Sequence, residues 1–132
     1  DTAQARDVVN AKENGYDSVL EQNGRNLSGG QKQRISVARA IAKRPEVLIL
    51  DDSSSALDNI TDLKLRRAIK SLDYPVTTFI VSQRASSVLG ADKIIVMDEG
   101  EIVGTGTADE LRKTCAVFRE IEDSQSSSEA RK

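Results

Sequence analysis

The 132-residue sequence contains no histidine, one cysteine and two prolines. Without histidine the chain lacks both the commonest metal-ligating side chain and the usual acid or base near neutral pH. The single Cys115 allows no internal disulfide, and the opening DTAQARDVVN has no basic stretch followed by an apolar one, so no secretory leader is read there. Both points fit a reducing, cytoplasmic setting in which Cys115 is a small packing residue. No apolar run is long enough to cross a bilayer. The charges nearly cancel, with 19 Lys and Arg against 21 Asp and Glu, and a net of −2 gives no global attraction to nucleic acid or anionic lipid. What remains, 38% hydrophobic and 30% charged residues, suits one globular domain with a modest core.

Residues 1 to 14 carry a weak amphipathic helical pattern that Gly15 interrupts, an opening that reads as a piece of something larger. From Gln31 the periodicity firms. Ile35, Ala38, Ile41 and Ala42 share one face, and Pro45 restricts Arg44, which predicts a helix over about 29 to 44. Val47 to Leu50, the run VLIL, predicts a parallel strand buried on both faces. A second helix is predicted at about 61 to 72, with Leu65, Ala68, Ile69 and Leu72 inward, and strands at 76 to 82 and 93 to 97. Asp98-Glu99-Gly100 reads as a tight turn into an antiparallel partner, and Thr107 with Glu110 as a capping box. The helical pattern fades by Asp123, leaving 124–132 as an expected disordered tail. Strands alternating with helices indicate an α/β parallel sheet.

Two segments carry polar chemistry. Ser28-Gly29-Gly30 precedes a helix, where unpaired backbone N–H groups and the helix dipole favour an anion and glycines allow a phosphate close approach. The simpler alternative is a plain S-x-x-Q capping box made with Gln31. Asp51 and Asp52 end the buried strand, where open α/β sheets hold ligands and where one carboxylate can serve magnesium while its neighbour orients water. The simpler alternative is that both cap the following turn, with Ser53, Ser54 and Ser55 as turn residues.

Taken together, LSGGQKQRISVARA (27–40), VLILDD (47–52), SALD (55–58) and IVSQR (80–84) resemble the signature motif, Walker B strand, D-loop and switch loop of the ATP-binding cassette (ABC) ATPases, in the same order and spacing. The resemblance runs from about Gly15 to Phe118. It implies a partial P-loop NTPase (RecA-like) sheet with helices plus part of the ABC helical subdomain. Residues 1–44 would hold the signature part, and residues 45–123 the C-terminal part of the RecA-like core. By the same resemblance Ser28, Gly29, Gly30 and Gln31 contact the γ-phosphate of ATP held by a second nucleotide-binding domain. Asp51 serves Mg2+, Asp52 takes the position of the catalytic base, Asp58 lies at the dimer interface, and Gln83 replaces the switch histidine.

Three departures qualify that carry-over. Gly24, Gly29 and Gly30 are never followed as G-x-x-x-x-G-K-[ST] requires, so the P-loop half is missing from this sequence. Asp52 stands where the family usually has Glu, one methylene longer. Gln83 can exchange hydrogen bonds but cannot carry charge or shuttle a proton. The wording of SALDNITD, VSQR and DEGEIVGTG most resembles exporters, so the expected function is that of an exporter's ATPase subunit at the cytoplasmic face of a membrane, attached to a transmembrane domain. Its own site would be degenerate and its signature would complete a partner's site, that of a heterodimer. Two other readings stand beside it: a soluble ABC ATPase acting on DNA or ribosomes, supported by the basic run Arg25, Lys32, Arg34, Arg39, Lys43 and Arg44, and a non-catalytic interaction fragment. For the isolated chain, strand edges left bare by the missing half predict poor stability or association.

Overall fold

The computed structural model describes residues 1–129, which divide into two units, Asp1–Val81 and the residues from Ser82 onward. The first unit begins with a five-residue helix, α1 (Arg6–Asn10), and two short 3-10 turns. Helix α2 (Gly29–Ile41) starts where the expected capping box forms: Ser28 Oγ accepts from the Gln31 N–H at 3.3 Å, and Gln31 Oε1 accepts from the Ser28 N–H at 2.9 Å. It ends three residues short of the expected limit. Pro45 excludes the helical region for Arg44, which turns to φ +48°.

Strand β1 (Val47–Asp51) pairs in parallel with β2 (Thr77–Val81), in register from Val47 opposite Thr77 to Asp51 opposite Val81. Helix α3 (Asn59–Lys70) connects them and completes a β-α-β unit. Leu48 and Leu50 of β1, Val37 of α2, Leu57, and Leu65 and Ile69 of α3 form one core. A fully buried side chain of this kind contributes about 1.5–3 kcal/mol.

The expectation of a first strand buried on both faces is corrected here. Strand β1 is buried on one face only. Val47 and Ile49 are 53% and 66% exposed, with Phe79 and Val81 of β2 on the same bare face, because α2 and α3 cover only the opposite one. A continuous apolar run cannot reveal that its second face is left uncovered. In α2 the most buried residue is Val37, which the predicted stripe left out; Ile35, Ala38 and Ile41 do share a face and pack partly buried against the same core, and with Ala42, Val8 and Leu27 they line an open apolar cleft of about 430 Å³.

The second unit holds a short helix α4 (Ala85–Val88), strands β3 (Ile94–Asp98) and β4 (Glu101–Gly106), and helices α5 (Ala108–Thr114) and α6 (Ala116–Glu129). The predicted turn is present: Glu99 and Gly100 take φ +46° and +85°, and β3 and β4 pair antiparallel with a bulge between Val96 and Met97. Ile94, Val96, Ala108, Leu111, Cys115 and Phe118 form its core, so Cys115 does pack rather than face solvent. A Cβ on Gly104 would lie 3.0 Å from both Cys115 Sγ and Leu111 Cδ2, which explains why the strand is bare where α5 crosses it.

The expected disordered tail is corrected for the part described. Helix α6 continues past Asp123 to Glu129, and 130–132 lie outside the described residues. Gln125 supplies the reason: it hydrogen-bonds to the backbone of Ala85 and Gln83, anchoring a stretch with little apolar content. Among the described residues no helix is long and apolar enough to cross a membrane.

Candidate functional site

At the start of α2 the capping box consumes only part of the donor supply. The Gly29 and Gly30 N–H groups, in the first turn, have no partner among the described residues, as helix geometry dictates. Ser28 accepts with its oxygen and keeps its hydroxyl proton, while Gln31 accepts through Oε1 and keeps its NH2 group. Four sets of donors therefore converge at one helix end, whose dipole adds positive potential. That arrangement can bind an anion with several oxygens.

Asp51 closes β1 with an exposed carboxylate. Asp52 follows with its own N–H donating to the Val81 carbonyl at 3.0 Å, so the parallel ladder runs one residue beyond the strand. It then turns to φ +46°, a conformation that Asp tolerates better than most side chains. Its carbonyl accepts from the Ser55 N–H (3.3 Å), Ser55 Oγ (3.1 Å) and Gln33 Nε2 (3.2 Å). The strained residue is thus fixed by its surroundings, as such positions must be.

The loop from Ser53 to Leu57 packs directly on the start of α2. A Cβ added to Gly30 would stand 2.8 Å from the Ala56 carbonyl oxygen and 3.3 Å from Leu57 Cδ2; one on Gly29 would stand 3.3 Å from Ala56 Cβ. The two glycines therefore serve a contact within the chain, whatever else they approach. Gln33, one turn along, completes the junction: Nε2 donates to Ser55 Oγ at 2.8 Å and Oε1 accepts from the Ala56 N–H at 3.1 Å. The sequence reading assigned nothing to Gln33. Its partners lie 19 to 23 residues away, beyond the reach of any local pattern.

Asp58 is the N-cap of α3, accepting from the Thr61 N–H at 2.9 Å and the Thr61 hydroxyl at 2.8 Å. These donors, the backbone N–H first, hold its carboxyl below the usual carboxylate range. Inside α3, Asp62 is buried and pairs with Arg66 at 3.0 Å. The first unit thus brings together Ser28, Gly29, Gly30 and Gln31 of α2 with the loop that follows Asp51 and Asp52 and leads to Asp58. Gln83 belongs to the second unit. It is exposed, and its carbonyl accepts from Gln125 Nε2 at 2.6 Å while Gln125 Oε1 accepts from the Ala85 N–H at 2.8 Å. Gln125 is a second residue that no local signal marked.

A β-α-β unit with carboxylates at its strand end and a donor-rich, glycine-led helix start beside them defines a segment of a nucleotide-binding α/β domain. Comparison with known proteins makes this specific. A family model described as ABC transporter matches residues 1–55. The uncharacterized ABC transporter ATP-binding protein YfiB of Bacillus subtilis is 46% identical over 123 residues, covering 93% of this chain and 21% of that protein. The beta-(1→2)glucan export ATP-binding/permease protein NdvA of Brucella melitensis is 41% identical over 119 residues, covering 90% of this chain and 20% of that protein. A solved bacterial Atm1-family ABC exporter with ATP bound superposes with a TM-score of 0.86 at 31% identity, over 94% of this chain and 22% of that one. The chain is part of an ABC nucleotide-binding domain, and it spans about a fifth of the length of the curated relatives it matches.

Proposed function

We propose that this chain is the C-terminal part of the nucleotide-binding domain of an ABC exporter subunit, in which ATP binding and hydrolysis drive export through a transmembrane domain at the cytoplasmic face of a membrane. Residues 1–44 supply the signature part and 45–123 the core part. Ser28, Gly29, Gly30 and Gln31 offer their donors to the γ-phosphate of ATP held by a partner domain. Asp51 and Asp52 serve the chain's own site, and Asp58 adds to the dimer interface while it caps α3.

Among the described residues no cluster of three His, Cys, Asp or Glu forms a self-sufficient metal site. An exposed carboxylate such as Asp51 fits magnesium held by one or two protein oxygens, with phosphate and water supplying the rest. The ion, when bound, neutralises charge on the transferring phosphate.

The observation that carries the finer reading is the pairing of an intact signature with two weakened groups. Asp52 draws its carboxylate back by about 1 Å relative to the longer Glu, a displacement that can cost on the order of 100-fold in rate. Gln83 donates and accepts hydrogen bonds but cannot take up charge or relay a proton. The chain's own site then holds ATP and hydrolyses it slowly, while its signature completes a competent site on a different partner. The whole subunit purified without a partner is expected to turn over ATP poorly, and the assembled pair well. Asp52→Glu with Gln83→His in the assembled pair should raise total turnover. Brisk turnover by the lone subunit, or no gain from the double substitution, refutes the degenerate site.

A further inference from the structure

We propose that Gln33 is the positioning residue that holds the signature helix and the carboxylate loop in register, so that the start of α2 and Asp52 are set as one rigid piece. The proposal rests on the assignment of those two segments made above.

The geometry is specific to an amide. The two Nε2 protons go to Ser55 Oγ (2.8 Å) and the Asp52 carbonyl (3.2 Å), and Oε1 receives the Ala56 N–H (3.1 Å). Flipping the amide would set its oxygen against a carbonyl oxygen and its NH2 against an N–H, so the network admits one orientation. Ser55 Oγ in turn donates to the Asp52 carbonyl at 3.1 Å, which closes a ring of bonds around that oxygen. Among the described residues Gln33 is the donor to this carbonyl that comes from outside the 52–55 turn. Asp52 is also the residue in the left-handed conformation, at φ +46°. The direction of its carboxylate follows from that backbone geometry.

The glycines make the staple possible. Gly29 and Gly30 let α2 approach the loop until a Cβ at Gly30 would meet the Ala56 carbonyl at 2.8 Å. Gln33 lies one turn further along the same helix and reaches the same loop at Asp52, Ser55 and Ala56. Glu at this position would lose both donors and bring a charge against the Asp52 carbonyl, and Asn would fall short by a methylene. Gln33 touches neither nucleotide donors nor the carboxylate itself, so it acts only through the backbone it fixes.

The test uses the full-length protein in its assembled state, with Gln33→Met, which keeps side-chain length and removes the hydrogen bonds, and Ser55→Ala, which removes one acceptor. Two readouts are taken. Amide hydrogen exchange over residues 52–57, measured by mass spectrometry without nucleotide, reads the staple, because the Ala56 N–H depends on Gln33. We expect a rise of about fivefold or more there for Gln33→Met, with the rest of the protein unchanged. ATP turnover reads its use through the start of α2, which on the proposed function completes the competent site, and kcat should fall by about tenfold or more with KM within about threefold. Ser55→Ala should move both in the same direction by less, and carries the test if Gln33→Met does not fold. Unchanged exchange in a folded Gln33→Met, or equal changes in kcat and KM, overturns the proposal. An active wild type whose Gln33→Met variant is equally active removes this inference alone. A wild type that neither binds nor hydrolyses ATP removes the proposed function with it.

Discussion

Adding one methyl group at Gly30 separates two explanations for the paired glycines. If they exist only to admit a phosphate, Gly30→Ala leaves the nucleotide-free protein undisturbed. The structure predicts otherwise, since the new Cβ would lie 2.8 Å from the Ala56 carbonyl oxygen, a backbone atom with no rotamer to give way. Overpacking of this kind costs about 1–3 kcal/mol. Against it stands the intrinsic helical preference of Ala over Gly, up to about 1 kcal/mol. The net is a local loss of about 1–2 kcal/mol, absorbed by separating α2 from the loop and loosening the Gln33 bonds, which contribute roughly 0.5–1.5 kcal/mol each. Gly29→Ala is the matched control, because its Cβ would meet only Ala56 Cβ at 3.3 Å, and the propensity gain offsets a shift of a few tenths of an ångström. Hydrogen exchange over residues 53–57 of the nucleotide-free full-length protein reads the difference. Gly30→Ala should speed exchange by about 5- to 30-fold, since 1.4 kcal/mol is a factor of ten, and Gly29→Ala by less than about threefold. Equal exchange in the two variants would refute the claim that the helix start is packed against the loop.

Two other perturbations test neighbouring parts of the same unit. The Asp58 carboxyl is held below its ordinary value by the Thr61 donors, so its stabilisation of α3 is full above the unfolded pKa and is lost as pH falls through the lower folded value. Exchange protection at the start of α3 should therefore drop in acid in the wild type and stay level in Asp58→Asn, whose amide caps without titrating; a level wild-type profile contradicts the cap. Asp62, with its side chain 5% exposed, neutralises Arg66 inside the unit. Asp62→Leu should destabilise by about 3 kcal/mol because it strands a charge, and adding Arg66→Met should recover most of that loss in a thermal melt; additive losses would show that the two do not act as a pair.

Local sequence rules carried the reading wherever the interaction itself is local. The Ser28–Gln31 and Thr107–Glu110 boxes span three residues and the restriction of Arg44 by Pro45 spans one, so these were legible and are present, while the end of α2 at Ile41 was not. The Ser28–Gln31 segment and the strand-end carboxylates were legible as motifs, and their packing through the loop after Asp52 was not. Gln33 meets Asp52 and Ala56 across 19 and 23 residues, and Gln125 meets Ala85 and Gln83 across 40 and 42. Neither glutamine differs from its neighbours in periodicity, charge or turn chemistry. Burial of β1 failed for a related reason: Val47 and Ile49 read as a covered face, and no element of the first unit covers it among the described residues. Hydrophobic pattern reports what a face requires, not whether the chain at hand supplies it.

The two glutamines point to one physical idea about sites of this kind. A carboxylate or switch side chain that must meet a ligand cannot also be tied down by it when the ligand is absent, so its aim has to be set through its backbone. The Asp52 carbonyl takes three donors, and the Gln83 carbonyl takes a 2.6 Å bond from Gln125. In both cases the fixing residue is an amide that donates and accepts at once, bonded to main-chain atoms on each side of the loop. Side-chain amides suit that task better than charged groups, because they satisfy a carbonyl and an N–H together without adding an electric field where phosphate charge would be handled. On the proposed function, preorganisation of the loops is in this way separated from the chemistry, and the side chains of Asp52 and Gln83 are left to face what they would bind.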